Sequence, residues 1–233
     1  MTWGVIFDMD GVLVDSSEAH YEAWRELGDQ VGKPFSRQLF ESTFGMHNQQ
    51  IMPLWLGEVS QERLQELADQ KEAAYRRLAP SKLKAIAGVQ ELIARLRAER
   101  IPLAVGSSGP LANVRLILES LGLSESFQAL STGEDVHHGK PDPEVFLVAA
   151  RRLGLEPRQC VVMEDAPQGI EAARRAQMPV VAITSSRPAN QLPADLVVDD
   201  FHNLQPQQLA SLLASLHLGR RNHVEKSTLG PCP

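Results

Sequence analysis

Apolar residues along the chain follow two rhythms. Short, nearly continuous runs occur at Trp3–Phe7, Ile101–Val105, Cys160–Met163 and Val180–Ile183, with weaker ones near Ala129 and at Leu196–Val198. A strand buried on both faces has no polar side to show, so such runs predict the strands of a parallel sheet. Between the runs the spacing becomes helical. Val89, Leu92, Ile93 and Leu96 recur within Gly88–Glu99, and Val114, Ile117, Leu118 and Leu121 within Leu111–Leu121. Glu144–Leu153 and Gly169–Ala176 read likewise. Strand and helix in alternation predict an open α/β sheet with right-handed crossovers.

One stretch breaks the alternation. From Ser16 to Leu83 only helical patterns appear, the clearest at Glu18–Val31 and Gln61–Leu78. In the latter, Leu64, Leu67, Lys71, Ala74 and Leu78 share one stripe with charges elsewhere. A helical insert directly after the first strand predicts a second, smaller domain over residues 16–83, with the core formed by 1–15 and 84–218. The alternative is a helical layer packed on one face of the sheet. The 233-residue length suits one large domain or two unequal ones. Residues 219–233 lack periodicity and are expected to form a flexible tail.

Charge narrows the partners. The formal net charge is -6, so no basic excess exists to meet a nucleic-acid backbone or an anionic membrane. A small phosphorylated metabolite needs only a local positive site and stays allowed. No apolar run reaches the roughly 18 residues that would span a bilayer. Cys160 and Cys232 are too few for a disulfide framework. No charged segment with a cleavage site precedes the first strand, so no secretory signal is expected. A soluble monomer in the reducing cytoplasm is the default expectation.

The chemistry sits at the strand ends, where open α/β sheets bind ligands. Asp8 and Asp10 follow the first strand and, two residues apart, leave it on one side. Two such acids repel unless one is protonated or a cation intervenes, which points to a metal, an acid/base role or both. They could also be loop acids, one of them capping the next helix. Ser107 and Ser108, between Gly106 and Gly109, offer hydroxyls and backbone N–H groups for an anionic oxygen, or a plain N-cap. Lys140 precedes Pro141 and can neutralise a phosphate or carboxylate, though a surface lysine reads the same. Asp142 and Pro143 fit the cap and first position of the Glu144 helix. Glu164 and Asp165 end a buried run and need a counter-ion, and hard oxygens shared with a phosphate suit Mg²⁺.

In this order and spacing, Asp8-Met9-Asp10-Gly11-Val12, Ser107, Lys140 and Glu164-Asp165 resemble the haloacid dehalogenase superfamily, in its branch of beta-phosphoglucomutase and small-molecule phosphatases. The resemblance runs to about Leu218. It implies a Rossmann-like α/β core with a parallel sheet and an inserted α-helical cap domain. It also implies Asp8 as the nucleophile of an aspartyl-phosphate and Asp10 as general acid and base. Ser107 and the backbone N–H groups of Met9 and Ser108 would hold the phosphoryl group, and Lys140 would balance its charge. Glu164, Asp165, Asp8 and the main-chain carbonyl of Asp10 would hold Mg²⁺. A dehalogenase of this superfamily lacks an acid at the Asp10 position, so the pair points to phosphate esters.

The resemblance therefore implies a Mg²⁺-dependent phosphatase acting on a small phosphate ester, a phosphosugar. A phosphosugar mutase is the rival, and a non-catalytic binding module a more distant one. Relatives often carry a basic residue soon after a cap glycine to grip a second phosphate. Phe44-Gly45-Met46-His47-Asn48 has no arginine or lysine, which weighs against the mutase. His20 and His47 are candidate substrate contacts from the cap, with ordinary helical histidines as the alternative. Ser16 is expected to N-cap the first insert helix.

Overall fold

The computed structural model describes residues 2–215. Six parallel strands form one sheet: β1 (Gly4–Phe7), β4 (Leu103–Gly106), β5 (Ala129–Ser131), β6 (Cys160–Glu164), β7 (Val180–Ile183) and β8 (Leu196–Val198), in the order β5-β4-β1-β6-β7-β8. β1 lies near the centre, with Phe7 level with Val105 on one side and Met163 on the other. That register brings the ends of β1, β4 and β6 together at one edge.

Both faces of the sheet are covered, which is why its strands read as unbroken apolar runs. Val5, Phe7, Leu103, Val105, Val161 and Met163 pack against α5 (Val89–Ala98) and α6 (Leu111–Ser120). The alternate residues Ile6, Ala104, Cys160 and Val162 pack against α7 (Glu144–Leu153) and α8 (Pro167–Arg175). Cys160 is buried and free, while Cys232 and the expected tail lie outside the described residues. No helix among the described residues is long and apolar enough to cross a membrane.

Between the first and second sheet strands the chain builds a helical cap from α1 (Ser17–Val31), α2 (Arg37–Thr43), α3 (Asn48–Leu56) and α4 (Gln61–Leu78). It has its own core, in which Trp24 stacks on Phe35 at 4.8 Å and Trp55 meets both edge-on. The two crossings into the cap pair as a short antiparallel ribbon, β2 (Val14–Asp15) with β3 (Lys84–Ala85). Two residues per strand are too few for a periodicity, so the sequence carries no signal for this ribbon. The roots of α1 and α4, including Ala19, Ala23, Ala74 and Tyr75, join the sheet core and seat the cap over the strand ends.

Two local expectations are corrected. Ser16 stands at the head of α1 but its oxygen accepts from no backbone N–H there; the hydroxyl is turned to donate to the Asp10 Oδ1 carboxylate oxygen. Pro143, not Asp142, takes the cap position of α7, although the Asp142 carboxylate still accepts from the Glu144 N–H at 3.0 Å.

Candidate active site

The chain leaves β1 into Asp8, Met9 and Asp10 and turns at Gly11. Gly11 adopts φ 78°, and a Cβ there would overlap the Asp165 carboxylate, so both conformation and space require glycine. Met9 is fully buried. Lys140 is buried too and is no surface lysine. Its Nζ donates to Asp8 Oδ1 at 2.7 Å and to Glu164 Oε1 at 2.6 Å. Glu164 Oε2 accepts from the N–H groups of Asp165 and Ala166, both at 2.8 Å. A side chain at Gly169 would overlap the Glu164 carboxylate, so α8 can approach only through glycine. Ser107, at the end of β4, is buried and accepts from the Gly109 N–H at 3.0 Å. Asp8, Asp10, Ser107, Ser108, Lys140, Glu164 and Asp165 all line one small cavity of about 40 Å³.

The electrostatics of this cavity are set by burial. Burial pushes the Asp8 carboxyl up to about 7; Lys140 opposes that rise and Glu164 adds to it. Burial, with the charges of Glu164 and Asp8, holds Asp165 well above the usual carboxylate range. Burial works against the charged form of Lys140, yet Asp8 and Glu164 outweigh it and raise the ammonium above its ordinary value. One lysine thus faces three buried carboxylates, and a further positive charge is needed before all three can ionise.

The residues fit a divalent cation. Asp8, Glu164 and Asp165 can each offer an oxygen within 4.8 Å of the others. Hard carboxylate oxygens converging in a small cavity suit Mg²⁺. Both Glu164 oxygens already accept hydrogen bonds, so Asp8 and Asp165 hold the freer ones. The Asp10 carboxylate stands outside this cluster.

Asp10 instead turns toward the cap. Its Oδ1 meets the Ser16 hydroxyl and lies 3.3 Å from His20 Nε2. Burial alone would raise this carboxyl, but His20, Ser16 and Lys71 outweigh it and hold it below its usual value. His20 stacks on Tyr75 at 3.9 Å, and its Nδ1 lies 2.8 Å from Lys71 Nζ. An ammonium can only donate, so Nδ1 accepts and Nε2 carries the hydrogen toward Asp10. Lys71 sits on the apolar stripe of α4 yet is paired, at 2.8 Å, with Glu72 Oε1. Glu72 also accepts from Asn48 at 2.7 Å and from Asn113 of α6 at 2.5 Å. Burial would raise Glu72, but Lys71 and the other partners hold it down at about 2.

These groups line a second cavity of about 890 Å³ between cap and core, which meets the first at Asp10. His47 lies on its wall against Gly139, its Nε2 buried and without a hydrogen-bond partner. Burial and then the Lys140 charge keep the His47 ring below its usual pKa. Lys71, Glu72, Asn48 and Asn113 escaped the sequence reading. The one available signal was a lysine on an otherwise apolar stripe.

Comparison with known proteins matches this arrangement. The sequence pattern of the haloacid dehalogenase-like hydrolases matches residues 5–183. A phosphorylated carbohydrates phosphatase of Thermotoga maritima is 33% identical over 173 residues, covering 74% of this chain and 80% of its own. Beta-phosphoglucomutase of Bacillus subtilis is 33% identical over 210 residues, covering 86% and 90%. The crystal structure of beta-phosphoglucomutase from Clostridium difficile superposes with a TM-score of 0.83 at 27% identity, covering 94% of this chain and 100% of its own. With the motifs at the strand ends and a helical cap above them, this chain belongs to the haloacid dehalogenase-like hydrolase family.

Proposed function

We propose that this chain is a Mg²⁺-dependent phosphatase that hydrolyses a small phosphate ester, a phosphosugar, through an aspartyl-phosphate at Asp8. The observation that carries the reading is the separation of two neighbouring carboxylates. Asp8 sits in the buried acidic cluster with Lys140, while Asp10 is held by Ser16 and His20 at the mouth of the larger cavity. This supports a reading in which Asp8 meets the phosphoryl group in the small cavity, while Asp10, which lines both cavities, reaches toward the leaving group in the larger one.

In the first step an Asp8 oxygen bonds to phosphorus and the ester oxygen leaves, taking a proton from Asp10. In the second, Asp10 accepts a proton from water, whose oxygen attacks phosphorus and frees inorganic phosphate and Asp8. Ser107 and the backbone N–H groups of Met9 and Ser108 hold the phosphoryl oxygens, and Lys140 offsets their charge. Asp8 and Asp165, with Glu164 and the Asp10 carbonyl, would hold Mg²⁺, which supplies the positive charge that keeps Asp8 ionised. Without ligands, Asp8 is the raised group and Asp10 the lowered one, the reverse of what transfer needs. Added positive charge lowers Asp8, and a phosphate dianion beside Asp10 raises it, so the loaded site acquires the right order. The cap, residues 16–83, excludes bulk water and supplies His20 and His47 as substrate contacts.

A mutase is the second reading, favoured by the Bacillus subtilis relative. Weighing against it, Asn48 at the start of α3 is tied to the Glu72 carboxylate and no arginine or lysine lies between Phe44 and Asn48. A panel of phosphorylated metabolites scored for phosphate release with Mg²⁺ separates the two. Release from a sugar 1-phosphate supports hydrolysis. Bisphosphate-dependent conversion to the 6-phosphate without release would overturn it.

A further inference from the structure

The cavity between cap and core holds a cation that the transfer chemistry does not use. Arg76, on α4, is half-buried and lines the larger cavity. Its Nη1 donates to Asn113 Oδ1 at 3.0 Å. Among the described residues, no carboxylate lies within ion-pair distance of its guanidinium. The acids around the cavity are engaged elsewhere. Glu72 is held by Lys71, Asn48 and Asn113, and Asp10 by Ser16 and His20. Asp69 accepts from Gln65, and Glu134 from the Leu111 N–H.

The guanidinium is also pre-aimed. Asn113 is buried and its amide nitrogen donates to Glu72 Oε2, so its oxygen must face Arg76. A continuous polar chain therefore runs from Asp10 through His20, Lys71, Glu72 and Asn113 to Arg76. An unpaired guanidinium fixed on a cavity wall presents a planar fork that matches an oxyanion. The stretch from Phe44 to Asn48, with Asn48 committed to Glu72, offers no such group.

Resting on the phosphatase reading above, we propose that Arg76 determines specificity by binding a second oxyanion, a phosphate or a carboxylate, on the leaving group of the phosphate ester. The test compares kcat/KM within two pairs of substrates, and between wild type, Arg76→Gln and Arg76→Lys. Fructose 1,6-bisphosphate against fructose 1-phosphate probes a distal phosphate; 6-phosphogluconate against glucose 6-phosphate probes a distal carboxylate. Loss of a charge-assisted contact predicts that Arg76→Gln lowers the preference for the doubly charged member by about 10- to 100-fold, mainly through KM. Arg76→Lys, which keeps the charge but not the fork, restores part of it. The pair that responds identifies the oxyanion. Because selectivity is a ratio, partial misfolding lowers both rates and leaves it unmoved. If p-nitrophenyl phosphate is hydrolysed but neither pair shows a preference that Arg76→Gln removes, this inference is overturned alone. If no phosphate is released from any of the five compounds, the phosphatase reading falls and takes this one with it.

Discussion

The buried acidic cluster makes metal binding and pH inseparable. In the metal-free protein, burial holds the Asp8 carboxyl at about 7 against an ordinary 3.8. That difference corresponds to about 4 kcal/mol between the protonated and ionised forms. The folded state binds this proton more tightly than the unfolded chain, so metal-free stability is greatest below about pH 4 for this group, falls as pH rises through about 7, and is flat beyond. Mg²⁺ binds the ionised form and must displace the proton in acid. At about pH 5, against about pH 8, proton competition would weaken the metal by roughly 100-fold, or about 2.7 kcal/mol of linked stability. For a chain of this length 1 kcal/mol moves Tm by roughly 2–4 °C, so a fixed Mg²⁺ concentration should raise Tm by roughly 5–11 °C more at about pH 8 than at about pH 5. Differential scanning fluorimetry with and without Mg²⁺ at the two pH values reads this directly. Asp8→Asn should reduce the difference, leaving the part carried by Asp165, which burial also raises. Equal Mg²⁺ gains at both pH values would refute the reasoning, because they would mean that the cluster is already ionised without the metal.

Other consequences follow from single contacts. Lys140→Met leaves Asp8 and Glu164 facing each other without a cation; breaking a buried pair costs about 3–5 kcal/mol, read by urea denaturation without Mg²⁺. A loss under 1 kcal/mol would place the lysine in water rather than in the cluster. Asp10→Asn should slow poor leaving groups by about 10²–10⁴-fold and activated aryl phosphates far less; equal losses in steady-state rates would remove Asp10 from the proton-transfer role. Gly11→Ala drives a Cβ into the Asp165 carboxylate at φ 78°, so Mg²⁺-dependent activity should fall at least about 10-fold, through the cluster geometry on which positioning depends. Unchanged Mg²⁺ titration curves for that variant would contradict the contact.

The core was legible because its signals are local. Strands such as Cys160–Glu164, covered on both faces, have no choice but to read as apolar runs, and the acids, serines and lysine stand at the strand ends, just beyond them or in the loops between them. Their convergence follows from parallel topology, which puts every strand end at one edge. The cap side was far less legible. Glu72 and Asn113 meet across 41 positions, and no spacing rule connects them. Lys71 was visible on the stripe of α4, but its burial depends on Glu72, His20 and the rings of Trp24 and Tyr75, which only the fold assembles. Ser16 carried a sound capping signal and lost it to a nearer carboxylate. Local propensity yields where a charged partner offers a stronger bond.

The central claim is that Asp8 carries the phosphoryl group between substrate and water. Rapid-quench digestion and peptide mass spectrometry, with Mg²⁺ and a phosphosugar that the enzyme turns over, test it most directly. The expected result is an acid-stable, hydroxylamine-labile phosphoryl group on the peptide containing Asp8, formed and lost at rates that match turnover and absent in Asp8→Asn. Full phosphate release with no phosphorylated Asp8 peptide, or undiminished release by Asp8→Asn, would contradict it.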